Sequence, residues 1–205
     1  MTTEDSAAVW STVREQAAEA KTSPVLAPFL DHAIDAHATL PHAVAHMLSR
    51  KLASCDDGLP PALLESELAT RLTEPTVCAA LTSDLLCVVA ADPAAPSLLT
   101  VLLHFKGFAA LQAHRAAHSL WARAEQEEDA GARQLALLLQ GRASELYGVD
   151  IRTPPAPLPT SRHPPLRGIA AEGTCGPVGQ TRALRSARAY SSTMRPASSS
   201  ASRPP

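Results

Sequence analysis

Residues 101–121, VLLHFKGFAALQAHRAAHSLW, constrain the fold more than any other stretch of the chain. Wound as one helix, they place Val101, Phe105, Phe108, Ala109, Ala113, Ala116 and Leu120 on a single stripe. That is the three- and four-residue spacing of a helix facing a core. The small Ala side chains on the stripe let a neighbouring helix approach closely. Gln112 falls inside the apolar arc, with Lys106 and Arg115 at or near its edges. A buried amide needs hydrogen-bond partners, so this face is expected to do more than pack.

The preceding segments read as helices grouped around it. Ser6 or Asp5 can cap a first helix reaching about Lys21, with Val9, Trp10, Val13 and Ala17 on one side. Thr-Ser-Pro at 22–24 breaks it and opens a second, in which Leu26, Phe29, Leu30 and Ile34 share a face. Thr39 is placed to cap a third, with Pro41 in its first turn and Leu40, Val44, Met47, Leu48 and Leu52 along it. Asp56, Asp57, Gly58, Pro60 and Pro61 end that helix. Two shorter helices follow, from Pro61 to Leu72 and from Pro75 to about Ala91, the second closed by Asp92-Pro93.

Beyond the central helix, Glu125, Gln126, Glu127, Glu128 and Asp129 read as a solvated loop. A last helix from Ala130 to Tyr147 turns Leu135, Leu138, Leu139 and Leu146 inward and stops at Gly148. No segment before residue 150 alternates as a strand does. Residues 152–205 hold ten of the eighteen prolines, many Ser and Arg, and no apolar periodicity. Such a segment buries too little surface to offset its ordering entropy. The expected fold class is therefore all-α, a helical bundle over residues 1–151 followed by a disordered Pro/Arg/Ser-rich tail over 152–205.

Charge narrows the partners. The tail has eight Arg and one acid, Glu172, a balance of +7; the other 10 basic and 19 acidic residues give the body −9. An acidic body does not neutralise phosphates, so nucleic acid is not an expected partner. No uninterrupted apolar run reaches the roughly 18 residues of a membrane span, and the start, MTTEDSAAVW, lacks the basic, then apolar pattern of a signal peptide. Cys55, Cys78, Cys87 and Cys175 form no C-x-x-C pair and no metal-ligand spacing, and read as buried reduced thiols. The expected compartment is cytoplasmic. His42 and His46, and His114 and His118, stand four apart but lack a third ligand, so they are expected to be partly exposed helix residues with no metal.

The run FKGFAALQAHRAAHSLW resembles the last long helices of the amino-terminal domain of serine O-acetyltransferase. VWSTVREQA, LAPFLDHAI, MLSRKLAS, the Ala-Asp-Pro at 91–93 and LLLQGRASELYGVDI agree with that family in the same order. The resemblance implies an enzyme that acetylates L-serine with acetyl-CoA as co-substrate, without a bound cofactor, and that forms a homo-oligomer through the helical domain. It implies that Asp150 is the carboxylate orienting a catalytic histidine, and that Asp92 and Pro93 extend from the helical domain to hold serine. The chemistry is consistent, because an alcohol near pKa ~15 needs a base titrating near neutrality. A carboxylate behind that imidazole fixes its tautomer, and a second can accept hydrogen bonds from serine's ammonium group. The reading asks the two acids to stand at an edge of the body facing one reaction centre.

The family follows its helical domain with a β-helix of hexapeptide repeats bearing the histidine in Leu-Asp-His-Ala-Thr-Gly. Residues 152–205 contain neither such repeats nor an Asp-His pair. The general base and the acetyl-CoA groove thus have no counterpart, and this chain alone is expected to be inactive. Nor does its Arg-Pro-Pro end match the terminal isoleucine through which the family binds O-acetylserine sulfhydrylase. Shifting the reading of residues 189–197 by one nucleotide permits codons for Val-Leu-Leu-Asp-His-Ala-Thr-Gly, as a retained intron or displaced exon boundary would produce. An alternative is a non-enzymatic helical module that assembles with full-length acetyltransferase.

Overall fold

The computed structural model describes residues 3–53 and 58–152. The expected tail disorder, the altered-frame segment, Cys55 and Cys175 lie outside them. Within the described residues the chain is all-α: α1 (Thr3–Ala20), α2 (Ala27–Leu30), a π-helical turn (Asp31–Asp35), α3 (Leu40–Leu52), α4 (Pro61–Leu72), α5 (Pro75–Ala91), α6 (Leu98–His104), α7 (Lys106–Gln126) and α8 (Ala130–Tyr147).

Prolines set several of these starts. Pro41, Pro61 and Pro75 each lie in the first turn of a helix, where a missing N–H costs nothing. α8 ends at Gly148, whose left-handed backbone (φ 69°, ψ 32°) brings its N–H onto the Ser144 carbonyl at 2.9 Å. α7 is the hub, packing on α3, α4, α5, α6 and α8, while α3 pairs with α4. Phe108, Ala113, Ala116, Leu120 and Ala124 form its core stripe. Across α8, Ala132, Ala136, Leu139 and Ala143 meet that stripe with little bulk, so the two helices lie close. Leu30, Ile34, Leu52, Leu68, Leu72, Leu81 and Leu85 are fully buried, each contributing roughly 1.5–3 kcal/mol relative to exposure.

Five local expectations are corrected. The central stretch is not one helix: Phe105 is extended (φ −85°, ψ 103°), separating α6 from α7. Phe105 and Ala109 are consequently only half-buried. α1 begins at Thr3, so Asp5 and Ser6 lie inside it, and Ser6 instead accepts a hydrogen bond from Cys78 on α5 at 3.6 Å. In the second helical segment, the wide π turn keeps Leu30 and Ile34 inside but leaves Leu26 and Phe29 exposed. α8 packs on one side only, and Leu138 faces outward with Leu137. The acidic run is partly helical: Glu125 and Gln126 close α7, and Asp129 caps α8 by accepting from the Ala132 N–H at 3.0 Å.

Candidate functional site

α5 stops where Pro93 denies it another hydrogen bond. The residue before a proline is driven out of the helical region, and Asp92 is extended at φ −110°, ψ 111°. Its Oδ1 then accepts the Ala94 N–H at 2.9 Å, and its carbonyl accepts the Ala95 N–H at 2.9 Å. Asp92 is half-buried and Pro93 is exposed. The resulting turn holds one carboxylate oxygen and leaves Oδ2 with no hydrogen bond among the described residues.

Two polar clamps fix the helix ends beside this turn. On α5, two turns before Asp92, Asp84 accepts Nε and Nη2 of Arg115 at 2.7 and 2.9 Å, and Nε2 of Gln112 at 3.0 Å. Gln112 is fully buried, which gives the expected partner of the α7 amide. On the far side of the turn, Ser97 caps α6 by accepting the Thr100 N–H at 3.1 Å, and Gln16 from α1 accepts the Leu99 N–H at 2.9 Å. At the other end of α5, Glu74 accepts Arg71 Nη1 at 2.8 Å and the Ser119 hydroxyl at 2.6 Å. The loop bearing Asp92 is therefore suspended between helices tied to α1 and α7.

Asp150 belongs to the segment after α8. It follows the Gly148 stop, is exposed, and among the described residues forms only an outer ion pair with Arg152 at 3.9 Å. No hydrogen bond or ion pair joins it to Asp92 among the described residues. α5 packs on α1, α4, α6 and α7, whereas α8 packs on α7 and α3. Two clefts, of about 560 and 270 Å³, are lined by other residues: His42 and Glu65 in the first, Arg123 and Asp129 in the second.

The histidines depart from expectation in one place. His114 and His118 are half-buried, 6.0 Å apart by ring centroids, but His46 is buried. Burial, followed by the charges of His118 and Arg115, pushes His114 down to about 4. Among the described residues no group of three or more His, Cys, Asp or Glu could hold a metal. Cys78 and Cys87 form no disulfide among the described residues and are half-buried rather than buried. No single described helix is long and apolar enough to cross a membrane.

What the geometry defines is an Ala-rich helical domain that offers a turn-held aspartate at a helix end. The family profile "Serine acetyltransferase, N-terminal" matches residues 9–113, which include Asp92 and Pro93 but stop before Asp150. Probable serine acetyltransferase 5 of Oryza sativa subsp. japonica is 39% identical over 145 residues, covering 70% of this chain and 40% of the relative. Soybean serine acetyltransferase complexed with serine superposes with a TM-score of 0.63 at 32% identity, covering 72% of this chain and 58% of that one. The Brucella abortus strain S19 enzyme in complex with coenzyme A gives a TM-score of 0.61 at 30% identity, covering 69% and 54%. The chain belongs to the serine acetyltransferase family. It spans 40% of the rice relative and somewhat over half of the two solved chains.

Proposed function

We propose that residues 1–151 are the helical domain of a serine O-acetyltransferase, which converts L-serine and acetyl-CoA to O-acetylserine, and that this chain alone does not turn over. The carrying observation is the family match across the helices, including the Asp92-Pro93 turn. In the assembled reaction centre, the free oxygen of Asp92 accepts from serine's ammonium group, Pro93 shapes the turn, and Asp150 orients the histidine. The soybean and Brucella structures, with serine and coenzyme A respectively, support these two substrates. The absence of an Asp-His pair after residue 150 supports inactivity, because without a base the hydroxyl is a poor nucleophile. Cys78 and Cys87, in no disulfide among the described residues, support a reducing compartment such as the cytosol.

The coding sequence after the Ile151 codon tests this reading. We expect an alternative frame, or a downstream exon, to encode hexapeptide repeats with an Asp-His pair. If no frame does so, the catalytic part of the proposal fails.

Exposed apolar side chains favour a second reading, a module that assembles with itself or with full-length subunits. Val25 and Leu63 are 87% and 70% exposed, and Phe29, Leu137 and Leu138 also face outward. Sedimentation of the chain alone and mixed with full-length acetyltransferase tests it. A strictly monomeric chain that leaves the full-length species unchanged would refute assembly.

A further inference from the structure

Four titratable side chains from three parts of the chain meet at the corner after α2, with His32 exposed at its edge. His46 on α3 is 7% exposed, and its Nδ1 lies 3.0 Å from Oε2 of Glu65 on α4. His32, on the π turn, meets the His46 ring edge-on with centroids 4.6 Å apart; His37, just after that turn, lies 4.7 Å away. The His37 Nε2 is buried with no hydrogen-bond partner among the described residues. Other charges near the corner are engaged elsewhere. Asp31 and Asp35 pair with Lys21, just after α1, and His42 on α3 is bound to the Thr39 hydroxyl at 2.7 Å. Glu65 is thus the one carboxylate hydrogen-bonded to a ring of the cluster among the described residues.

One carboxylate balances one imidazolium. A second proton would place like charges on rings whose centroids lie 4.6 to 4.7 Å apart, which disfavours the closed arrangement. The corner contributes Leu30 and Ile34, both fully buried, so its release would expose apolar surface beside the end of α1. We propose that His32, His37, His46 and Glu65 form an acid-sensitive latch, which holds residues 27–37 against α3 and opens when a second ring is protonated.

The direction follows from the surroundings of His37. Burial, then the charge of His46, holds it below its ordinary value of 6.5, with Glu65 opposing the shift. An opened corner restores the ordinary value, so opening takes up a proton. Closure is complete above about pH 6.5 and weakens as the pH falls below it, until His37 also titrates in the closed form.

Amide hydrogen exchange of the whole chain from pH 7.5 to 5.5, in a chelator and corrected for intrinsic exchange, tests the latch. The Ala36 and His37 N–H groups are suitable probes, bonded to Asp31 and Ile34 carbonyls at 2.9 and 3.1 Å. Their protection should fall several-fold, up to about tenfold for one linked proton, while Leu139 and Ala143 on α8 hold steady. His37→Gln should flatten the fall, Glu65→Gln should deepen it, and His42→Gln should leave it unchanged. Flat wild-type protection, or an undiminished fall in His37→Gln, would overturn the proposal. Should His37→Gln leave the corner open at every pH, a Glu65→Gln profile identical to wild type would overturn it as well.

Discussion

Replacing Asp84 with Ala removes the acceptor of three hydrogen bonds from α7, two from Arg115 and one from Gln112. Hydrogen bonds to charged groups contribute about 1.5–3 kcal/mol each, but they are not independent. The Asp84 and Arg115 side chains retain 16% and 22% exposure, so water partly replaces what is lost. Gln112 has no such recourse, because it is fully buried and its Oε1 already lacks a partner. We therefore expect a net loss of about 3 kcal/mol, within the usual range for breaking a buried pair by removing one member. With a urea dependence of about 2 kcal/mol per molar, the unfolding midpoint should drop by about 1.5 M. Arg115→Ala and the double variant complete a cycle whose coupling energy should be about 1–2 kcal/mol. A midpoint shift below ~0.3 M, or a coupling energy near zero, would refute the claim that this clamp anchors α5 to α7.

His114 gives a pH prediction of defined sign. Its value in the fold, about 4, lies below the unfolded 6.5, so its contribution is complete above pH 6.5 and declines as pH falls toward 4. The full shift corresponds to about 3 kcal/mol; partial exposure reduces the expectation to about half. His114→Gln should flatten that part of a urea stability profile. Tyr147 has a buried hydroxyl with no partner among the described residues, and burial raises it to about 12. Tyr147→Phe should therefore stabilise the fold, by about 0.5–1 kcal/mol in thermal unfolding. Gly148→Ala meets no steric obstacle, yet must adopt φ +69°; a loss of about 1 kcal/mol is expected from the backbone alone.

The helices were legible wherever local chemistry sets their limits. Pro61, Pro75 and Gly148 mark boundaries by removing a donor or permitting a left-handed backbone. Gln112 could be singled out because a polar residue on an apolar stripe demands a partner. Its partner could not, because Asp84 is brought there by the packing of α5 on α7. The Phe105 break was hidden for a similar reason. His104, Phe105 and Lys106 contain no breaker, and the extended backbone separates two helices with different neighbours. The π turn was equally silent, since the same residues fit an ordinary helix. The cluster of His32, His37, His46 and Glu65 has no motif and exists only once the corner folds onto α3, whose His46 binds Glu65 of α4. As for the site, the Asp92-Pro93 turn could be located from its sequence, whereas the clamps from Gln16, Ser97 and Asp84 required the tertiary structure.

Thiol release from acetyl-CoA in the presence of L-serine measures the central claim most directly. With the purified chain, the rate should equal that of acetyl-CoA and serine alone, because on the proposed reading Asp92 only binds serine and residues 152–205 contain no Asp-His pair to supply the general base. Serine-dependent release above that background, abolished by Asp92→Ala, would contradict the account by placing a complete reaction centre on this chain.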